Sequence, residues 1–341
     1  MFLTFNVANE RRKTIILIDA SHLLLRNFFM NKKEIVEFRP NEHGESKPTG
    51  KINEGFLIHV VYSSILTLAN KFKASESNPV IVALDSKPSW RHEYYVKHSK
   101  NFPEYKGETY KGNRKKDSEI PWNKIWQTFD IAMANLTEST DFNVVKVDLA
   151  EADDVIAILA LNADEEVYVC SSDKDFHQLQ APHIHIYDPI KRIIIPPIDV
   201  ERRKQLHFLT AGDDNIKQVK PRMGKKTAEK IINEGLDTYL QINPEVRERY
   251  EFNRNLIDFD YIPKNVGDSI LQAVDVENNF CYNTTSLMAF FSEYQMKLML
   301  GKMQSFKLKG KQLEAPNLKI KTEKVKKSVD TSIEEFFTWE S

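Results

Sequence analysis

Six short apolar runs rich in β-branched residues constrain the fold more than any other feature: residues 14–18, 80–84, 144–147, 167–170, 184–187 and 193–195. They are too short for ordinary helices and lack the polar alternation of a half-solvated strand, so they read as buried strands. Stretches of helical period lie between them, near residues 54–74, 122–138 and 152–162. Buried strands joined by crossover helices predict an α/β domain with a mainly parallel central sheet flanked by helices. In such a sheet the ligand crevice lies at the carboxyl ends of the strands. Here one strand ends in Asp19, the next in Asp85, and a later one in Ser171-Ser172-Asp173.

After about residue 200 the pattern becomes wholly helical, near 201–210, 225–234, 245–257, 264–274 and 285–303. Three regions are expected: an α/β domain over 1–200 with a basic segment near 88–118, a helical domain over 201–305, and a flexible lysine-rich tail over 306–341. The 48 basic and 49 acidic side chains exclude a uniformly basic binder but allow a local basic surface. Two cysteines, Cys170 and Cys281, cannot build a disulfide framework and read as packing residues. The apolar run 15–18 falls far short of the roughly 20 residues that span a bilayer. Arg11, Arg12 and Lys13 follow the first apolar stretch and do not precede it as in a signal peptide, so a soluble cytoplasmic chain is expected.

The acids carry the chemistry. Asp19 and Asp85 stand at strand ends; Glu151, Asp153 and Asp154 open a helix; Asp173 and Asp175 follow a strand; and Asp213 and Asp214 sit in a Gly-Asp-Asp-Asn turn. One such acid alone is commonly a helix cap. Seven or more on one sheet edge would repel each other and raise each other's pKa unless cations neutralised them. Hard divalent ions with all-oxygen ligands, Mg²⁺ or Mn²⁺, suit such a cluster, and a pair of them is a common means of phosphodiester hydrolysis.

A second pattern interleaves rings with cations: Trp90, Arg91, Tyr94, Tyr95, Lys97, Lys100, Tyr105, Lys106, Tyr110, Lys111, Arg114, Lys115 and Lys116. Cations neutralise phosphates and rings offer faces to unstacked bases, although a solvated amphipathic segment has the same composition. In a third, Gly224, Lys225, Lys226 and Thr227 open a helix, as a phosphate-binding helix start would. A P-loop is disfavoured, because Gln218 or Val219 stands where its first glycine belongs. An Asp-x-Asp phosphatase is also disfavoured, since Asp173-Lys174-Asp175 lies mid-chain and not after the first strand.

Taken together these segments resemble the flap endonuclease and 5′-3′ exonuclease family over about residues 13–300. The stretch from Ile18 to Arg26 is similar to that family's first motif and Tyr110-Lys111-Gly112-Asn113-Arg114 to its arch motif. Glu151-Ala152-Asp153-Asp154 and Ser172-Asp173-Lys174-Asp175-Phe176 resemble its metal-binding motifs, and Gly224 to Ala228 its helix-three-turn-helix loop. The run Leu256 to Pro263 resembles the ribonuclease H of T-even bacteriophages.

The resemblance implies a PIN-like 5′-nuclease α/β fold followed by a helical helix-three-turn-helix module. It implies two Mg²⁺ ions, for which Mn²⁺ can substitute, with Asp19, Asp85, Glu151, Asp153 and Asp154 around one and Asp173, Asp175 and Asp213 near the other. Lys111 and Arg114 would contact the scissile phosphate and Arg26 a neighbouring one, while Tyr110, Lys115, Gly224, Lys225, Lys226 and Thr227 would hold DNA, with K⁺ at the loop. Substrates of such phage enzymes are RNA·DNA hybrids, duplex 5′ ends and 5′ flaps, and their task is removal of lagging-strand primers in the host cytoplasm.

Two positions depart from the family pattern. Gly212-Asp213-Asp214-Asn215 is two residues shorter than the usual motif or lacks one acid, which leaves the choice between Asp213 and Asp214 open. Arg222 stands where the loop usually has another glycine. The rival class is a catalytically impaired junction-binding protein, tethered to a clamp. The tail ends in Asp330-Thr331-Ser332-Ile333-Glu334-Glu335-Phe336-Phe337, which resembles a sliding-clamp peptide. One helical turn would put Ile333, Phe336 and Phe337 on one face, fit for a hydrophobic pocket. A monomer that meets a phage clamp, and also its single-strand-binding protein, is the expected state.

Overall fold

The computed structural model describes residues 14–106, 108–112, 119–211, 216–275 and 282–308. Arg114, Lys115, Asp213, Cys281 and the tail with Ile333, Phe336 and Phe337 therefore lie outside the described residues. Eight strands occur among them: Thr14–Asp19 (β1), Val36–Pro40 (β2), Ser46–Ile52 (β3), Val80–Leu84 (β4), Asn143–Lys146 (β5), Glu166–Cys170 (β6), Ile184–Asp188 (β7) and Ile193–Ile194 (β8). The described helices are Ala20–Met30 (α1), Lys32–Ile35 (α2), Glu54–Lys71 (α3), Trp90–His98 (α4), Trp122–Ser139 (α5), Ala152–Asn162 (α6), Val200–Thr210 (α7), Lys225–Ile242 (α8), Pro244–Ile257 (α9), Lys264–Asp275 (α10), Thr284–Glu293 (α11) and Lys297–Leu300 (α12).

Six strands form the central sheet in the order β5-β4-β1-β6-β7-β8. All its pairings are parallel except β7 with β8, and Ile18 lies in register with Val82 on one side and Cys170 on the other. The chain steps outward from β1 to β4 and β5, then crosses back to β6. Strand order therefore reverses between β1 and β6, which opens a crevice at their carboxyl ends.

Alternation along the strands builds a core on each face. Ile16, Ile18, Val80 and Val82 pack with α1, α3 and α5, and Ile15, Leu17, Ile81 and Ala83 pack with α6. A third core joins Phe208, Ile231, Leu240, Tyr250 and Phe252 of α7, α8 and α9 to Tyr95 and Tyr105. The helices after residue 200 thus divide between environments. Those from α7 to α9 form their own core, whereas Val266 and Ile270 of α10 join the α6 face and Leu287, Phe291 and Met299 join the opposite one.

Several local features were not legible from periodicity. The antiparallel hairpin β2–β3 is mostly solvated, so its sequence carries no buried alternation. The helix expected over 225–234 runs on to Ile242 through a kink at Gly235, where φ is 115°. The helix expected over 285–303 is broken into α11, α12 and a 3-10 turn at Met303–Phe306, with Gln295 at φ 54° between the first two.

One buried cation fastens these layers. Arg91 of α4, 4% exposed, donates from Nη1 to Asp154 Oδ1 at 2.6 Å and from Nε to the Leu256 carbonyl at 2.9 Å. Its guanidinium lies 4.6 Å from the centre of the Trp90 ring. Arg91→Met leaves the Asp154 charge buried without its cation, so urea unfolding should show a loss of about 3–5 kcal/mol. The double change with Asp154→Leu should recover part of that loss.

Candidate active site

The carboxyl ends of β4, β1 and β6 bring Asp85, Asp19 and Asp173 onto neighbouring strands, which in any sheet run roughly 4.8 Å apart. Asp19 ends β1 and also caps α1: Oδ1 accepts from the His22 N–H at 2.9 Å and Oδ2 from Ser171 Oγ at 3.3 Å. Asp85 Oδ1 accepts from the Ala152 N–H at 2.9 Å, which draws the start of α6 onto the end of β4. That contact sets Glu151 and Asp153 on the same edge. Asp173 Oδ1 accepts from the Asp175 N–H at 2.9 Å, and Asp175 opens a 3-10 turn beside α7, with Oδ1 3.6 Å from His207 Nδ1.

These acids feel one another. Burial, reinforced by the charges of Asp85 and Asp173, pushes the Asp19 carboxyl up to about 7 despite the His22 N–H that favours its ionised form. Asp153 is raised well above the ordinary carboxylate range, first by burial and then by Asp19 and Asp173. The cluster thus carries more negative charge than it can hold unaided.

Glu151 behaves oppositely. Burial favours its neutral form, but Lys111 Nζ at 2.6 Å and Arg91 Nη1 at 3.5 Å outweigh that and lower its pKa. Lys111 comes from the arch side, in a turn where its φ is 57°. A Cβ on the next residue, Gly112, would stand 2.0 Å from Thr109 Oγ1, so only glycine fits there. Burial alone would lower the Lys111 pKa; Tyr110, Glu151 and Asp153 raise it, and the ammonium stays charged at the edge of the acids. Tyr110 itself is half-buried, with the Lys111 ammonium 5.1 Å from its ring centre.

Asp154 departs from the expected set. It is fully buried, with Oδ1 taken by Arg91 at 2.6 Å and Oδ2 accepting from Trp90 Nε1 at 3.0 Å and the Glu151 N–H at 2.9 Å. Three hydrogen bonds and the Arg91 charge engage it, so the structure accounts for it as a cap of α6 rather than as an ion ligand. The aromatic-basic stretch also needs correction. Trp90, Arg91, Tyr95 and Tyr105 are buried core residues with no face for a base, while Lys97, Lys100 and Lys106 remain exposed.

Among the described residues no group of three or more His, Cys, Asp or Glu side chains is arranged to hold an ion by direct ligation alone. Mg²⁺ rarely asks for that, since it keeps several waters and takes one or two carboxylates. Donor type and charge fit: half-buried Asp85, Asp153, Asp173 and Asp175 offer only oxygens, around the buried Asp19. The grooves of about 530 Å³ beside the β2–β3 hairpin and about 660 Å³ between α3 and α12 hold none of these acids in their linings.

Periodicity did not single out His22 or Ser172, yet His22 Nε2 lies 2.9 Å from Ser172 Oγ and so joins α1 to the β6 end. A polar residue one turn after a strand-end aspartate was the available signal. Arg26 follows one turn later on the same helix face, half-buried, and its Nε has no hydrogen-bond partner. Far along the chain, Gly224, Lys225, Lys226 and Thr227 are all exposed at the start of α8, whose N-cap has no side-chain hydrogen bond. Arg222 adopts φ 64°, the left-handed conformation in which glycine is at ease.

Comparisons with known proteins show the family and the fold. The model of the 5′-3′ exonuclease N-terminal, resolvase-like domain matches residues 14–205, and that of the T4 RNase H C-terminal domain matches residues 197–306. Ribonuclease H of Enterobacteria phage T4 is 26% identical over 296 residues, 80% of this chain and 89% of its own. Flap endonuclease Xni of Colwellia psychrerythraea is 25% identical over 232 residues, 64% of this chain and 73% of its own. The solved bacteriophage T5 D15 flap endonuclease, in complex with DNA and metal ions, shares the fold at a TM-score of 0.52 and 17% identity, over 76% of this chain and 97% of its own. Matched through its α/β half and again through its helical half, the chain belongs to the 5′-3′ exonuclease family.

Proposed function

We propose that this chain is a metal-dependent 5′ nuclease that hydrolyses RNA·DNA hybrids, duplex 5′ ends and 5′ flaps, and that it removes RNA primers in the cytoplasm of a phage-infected bacterium. The observation that carries the reading is the gathering of Asp19, Asp85, Asp153 and Asp173 at one sheet edge, with Lys111 paired to Glu151 beside them. Asp19, Asp85, Glu151 and Asp153 would hold one divalent ion, and Asp173, Asp175 and Asp213 or Asp214 a second. Mg²⁺ or Mn²⁺ held there supplies acidity to a water and positive charge against the leaving oxygen.

The chain's own groups do the rest. Lys111, charged and next to Glu151, faces the scissile phosphate and favours the charge that develops on it. Arg114 acts beside it, and Arg26 holds the neighbouring phosphate. Tyr110 and Lys115 steady the strand at the arch. The exposed N–H groups at Gly224, with Lys225, Lys226 and Thr227, take the duplex backbone some distance away, with K⁺ at the preceding loop. Water adds to phosphorus, the bond to the 3′ oxygen breaks, and the products carry a 5′-phosphate and a 3′-hydroxyl.

Cleavage of a 5′-labelled flap and a matched RNA·DNA hybrid in Mg²⁺ and in EDTA tests the reading. Wild type should release short 5′ products only with Mg²⁺; Asp153→Asn should lose activity, and Lys111→Ala should lower kcat about a hundredfold. Binding without cleavage in either metal would return the junction-binding alternative.

The charge of the cluster also sets a pH dependence. A folded-state pKa raised to about 7, as for Asp19, means the native state holds a proton that the unfolded chain has released, so this group lowers stability as pH rises toward 7. A divalent ion takes over from that proton. The rise in thermal midpoint on adding Mg²⁺ should therefore be larger at about pH 8 than at about pH 6. An equal rise at both would contradict the assignment of Asp19.

We further propose that Ile333, Phe336 and Phe337 of the tail bind a phage sliding clamp, with the single-strand-binding protein a second partner of a monomeric enzyme. Deleting residues 330–341 should leave hydrolysis of free substrate unchanged and lower clamp affinity in a titration.

A further inference from the structure

Lys111 reaches the acids from a turn that is held at two levels. The Gly112 N–H donates to the Thr109 carbonyl at 2.8 Å, with Lys111 at φ 57° inside that turn. Just before it the Glu108 N–H donates to the Tyr105 carbonyl at 2.9 Å. Tyr105 ends a 3-10 turn over Pro103–Tyr105 and is buried in the third core, with the helices after residue 200.

That helical half grips the base of the turn by side chains. The Tyr105 hydroxyl accepts from the Lys217 N–H at 2.8 Å, and Lys217 Nζ lies 2.5 Å from Glu108 Oε1 and 5.1 Å from the centre of the Tyr105 ring. Lys217 is held in turn, its carbonyl accepting from Asn253 Nδ2 of α9 at 3.0 Å. Arg249, also on α9 and 2% exposed, sets its guanidinium 4.2 Å from the centre of the Tyr105 ring and 4.4 Å from that of Phe102. Tyr105 is thus tied at its ring by two cations and at its hydroxyl by a backbone N–H.

We infer that Tyr105, Glu108 and Lys217 are positioning residues for Lys111, so that the helical half sets where this ammonium stands against the acids of the α/β half. The inference rests on the reading of Lys111 as the cation that faces the scissile phosphate. A lysine ends a flexible four-carbon stem, and its one ion pair with Glu151 does not by itself place its backbone. The contacts at Tyr105 and Glu108 supply the second fixed point, three to six residues earlier in the chain. Precision matters there, since a displacement of about 1 Å can cost on the order of a hundredfold in rate. The Tyr105 ring fills the third core, so its hydroxyl can be removed with that core left packed.

The test is a pair of double-mutant cycles on flap cleavage by the full chain at saturating Mg²⁺. Tyr105→Phe and Glu108→Gln are each made in wild type and in Lys111→Ala. In the wild-type background each should lower kcat about tenfold, leave KM within about twofold and keep the thermal midpoint within a few degrees. In the Lys111→Ala background neither should lower kcat further, because the cation they place is gone; damage to the fold alone would lower it in both. Losses of similar size in the two backgrounds, or no loss in the wild-type background, would overturn the inference and leave the nuclease reading intact. A Lys111→Ala enzyme as active as wild type would do the same. A wild type that does not cleave with Mg²⁺ would overturn both.

Discussion

Repulsion between carboxylates gathered at the carboxyl edge of a parallel sheet is the constraint around which the rest of this molecule is arranged. Asp19, Asp85 and Asp173 share that edge because β4, β1 and β6 are neighbours, and Asp153 joins them because Asp85 caps the start of α6. Such a cluster resists folding. It is tolerated because the strands beneath are almost wholly buried and because cations approach from one side: Lys111 to Glu151 directly, and Arg91 through Asp154 from within.

The two kinds of acid in this region have different work. Asp154 satisfies Arg91, Trp90 and a backbone N–H, and its removal disturbs the fold. Asp153, its neighbour in sequence, points its charge at Asp19 and Asp173. One helical position separates a carboxylate held by the fold from one that feels the acidic cluster, because side chains at adjacent helix positions leave the axis about 100° apart. The arch shows the same economy. Its rings fill the core above α9, while Lys111 reaches the acids and the intervening lysines stay in solvent.

Membership of the 5′-3′ exonuclease family places this arrangement in a known setting, and the departures at Gly212-Asp213-Asp214-Asn215 and Arg222 then stand out. At Arg222 the backbone keeps the left-handed conformation without the glycine, at a cost of order 1 kcal/mol, and gains an exposed cation close to a helix start suited to phosphate. After α7 the described residues on either side of that turn are joined by Asn253, which donates to the carbonyls of Phe208 and Lys217.

Much was legible in the sequence by itself. The β-branched runs at 14–18, 80–84 and 167–170 are strands close to those bounds, because an apolar run so short can be buried on both faces only in a sheet. The acids at their ends were legible for the same reason: a strand's end is read directly from where its apolar run stops. Only the tertiary structure decided which acids face one another, since Asp154 and Asp153 differ by rotation about α6 and not by any pattern of residue types. It also decided that Tyr95 and Tyr105 belong to a core, that helices after residue 200 divide between three packing environments, and that Lys217 answers to the arch. Those contacts join residues far apart in the chain, and local periodicity carries no information about a partner a hundred positions away.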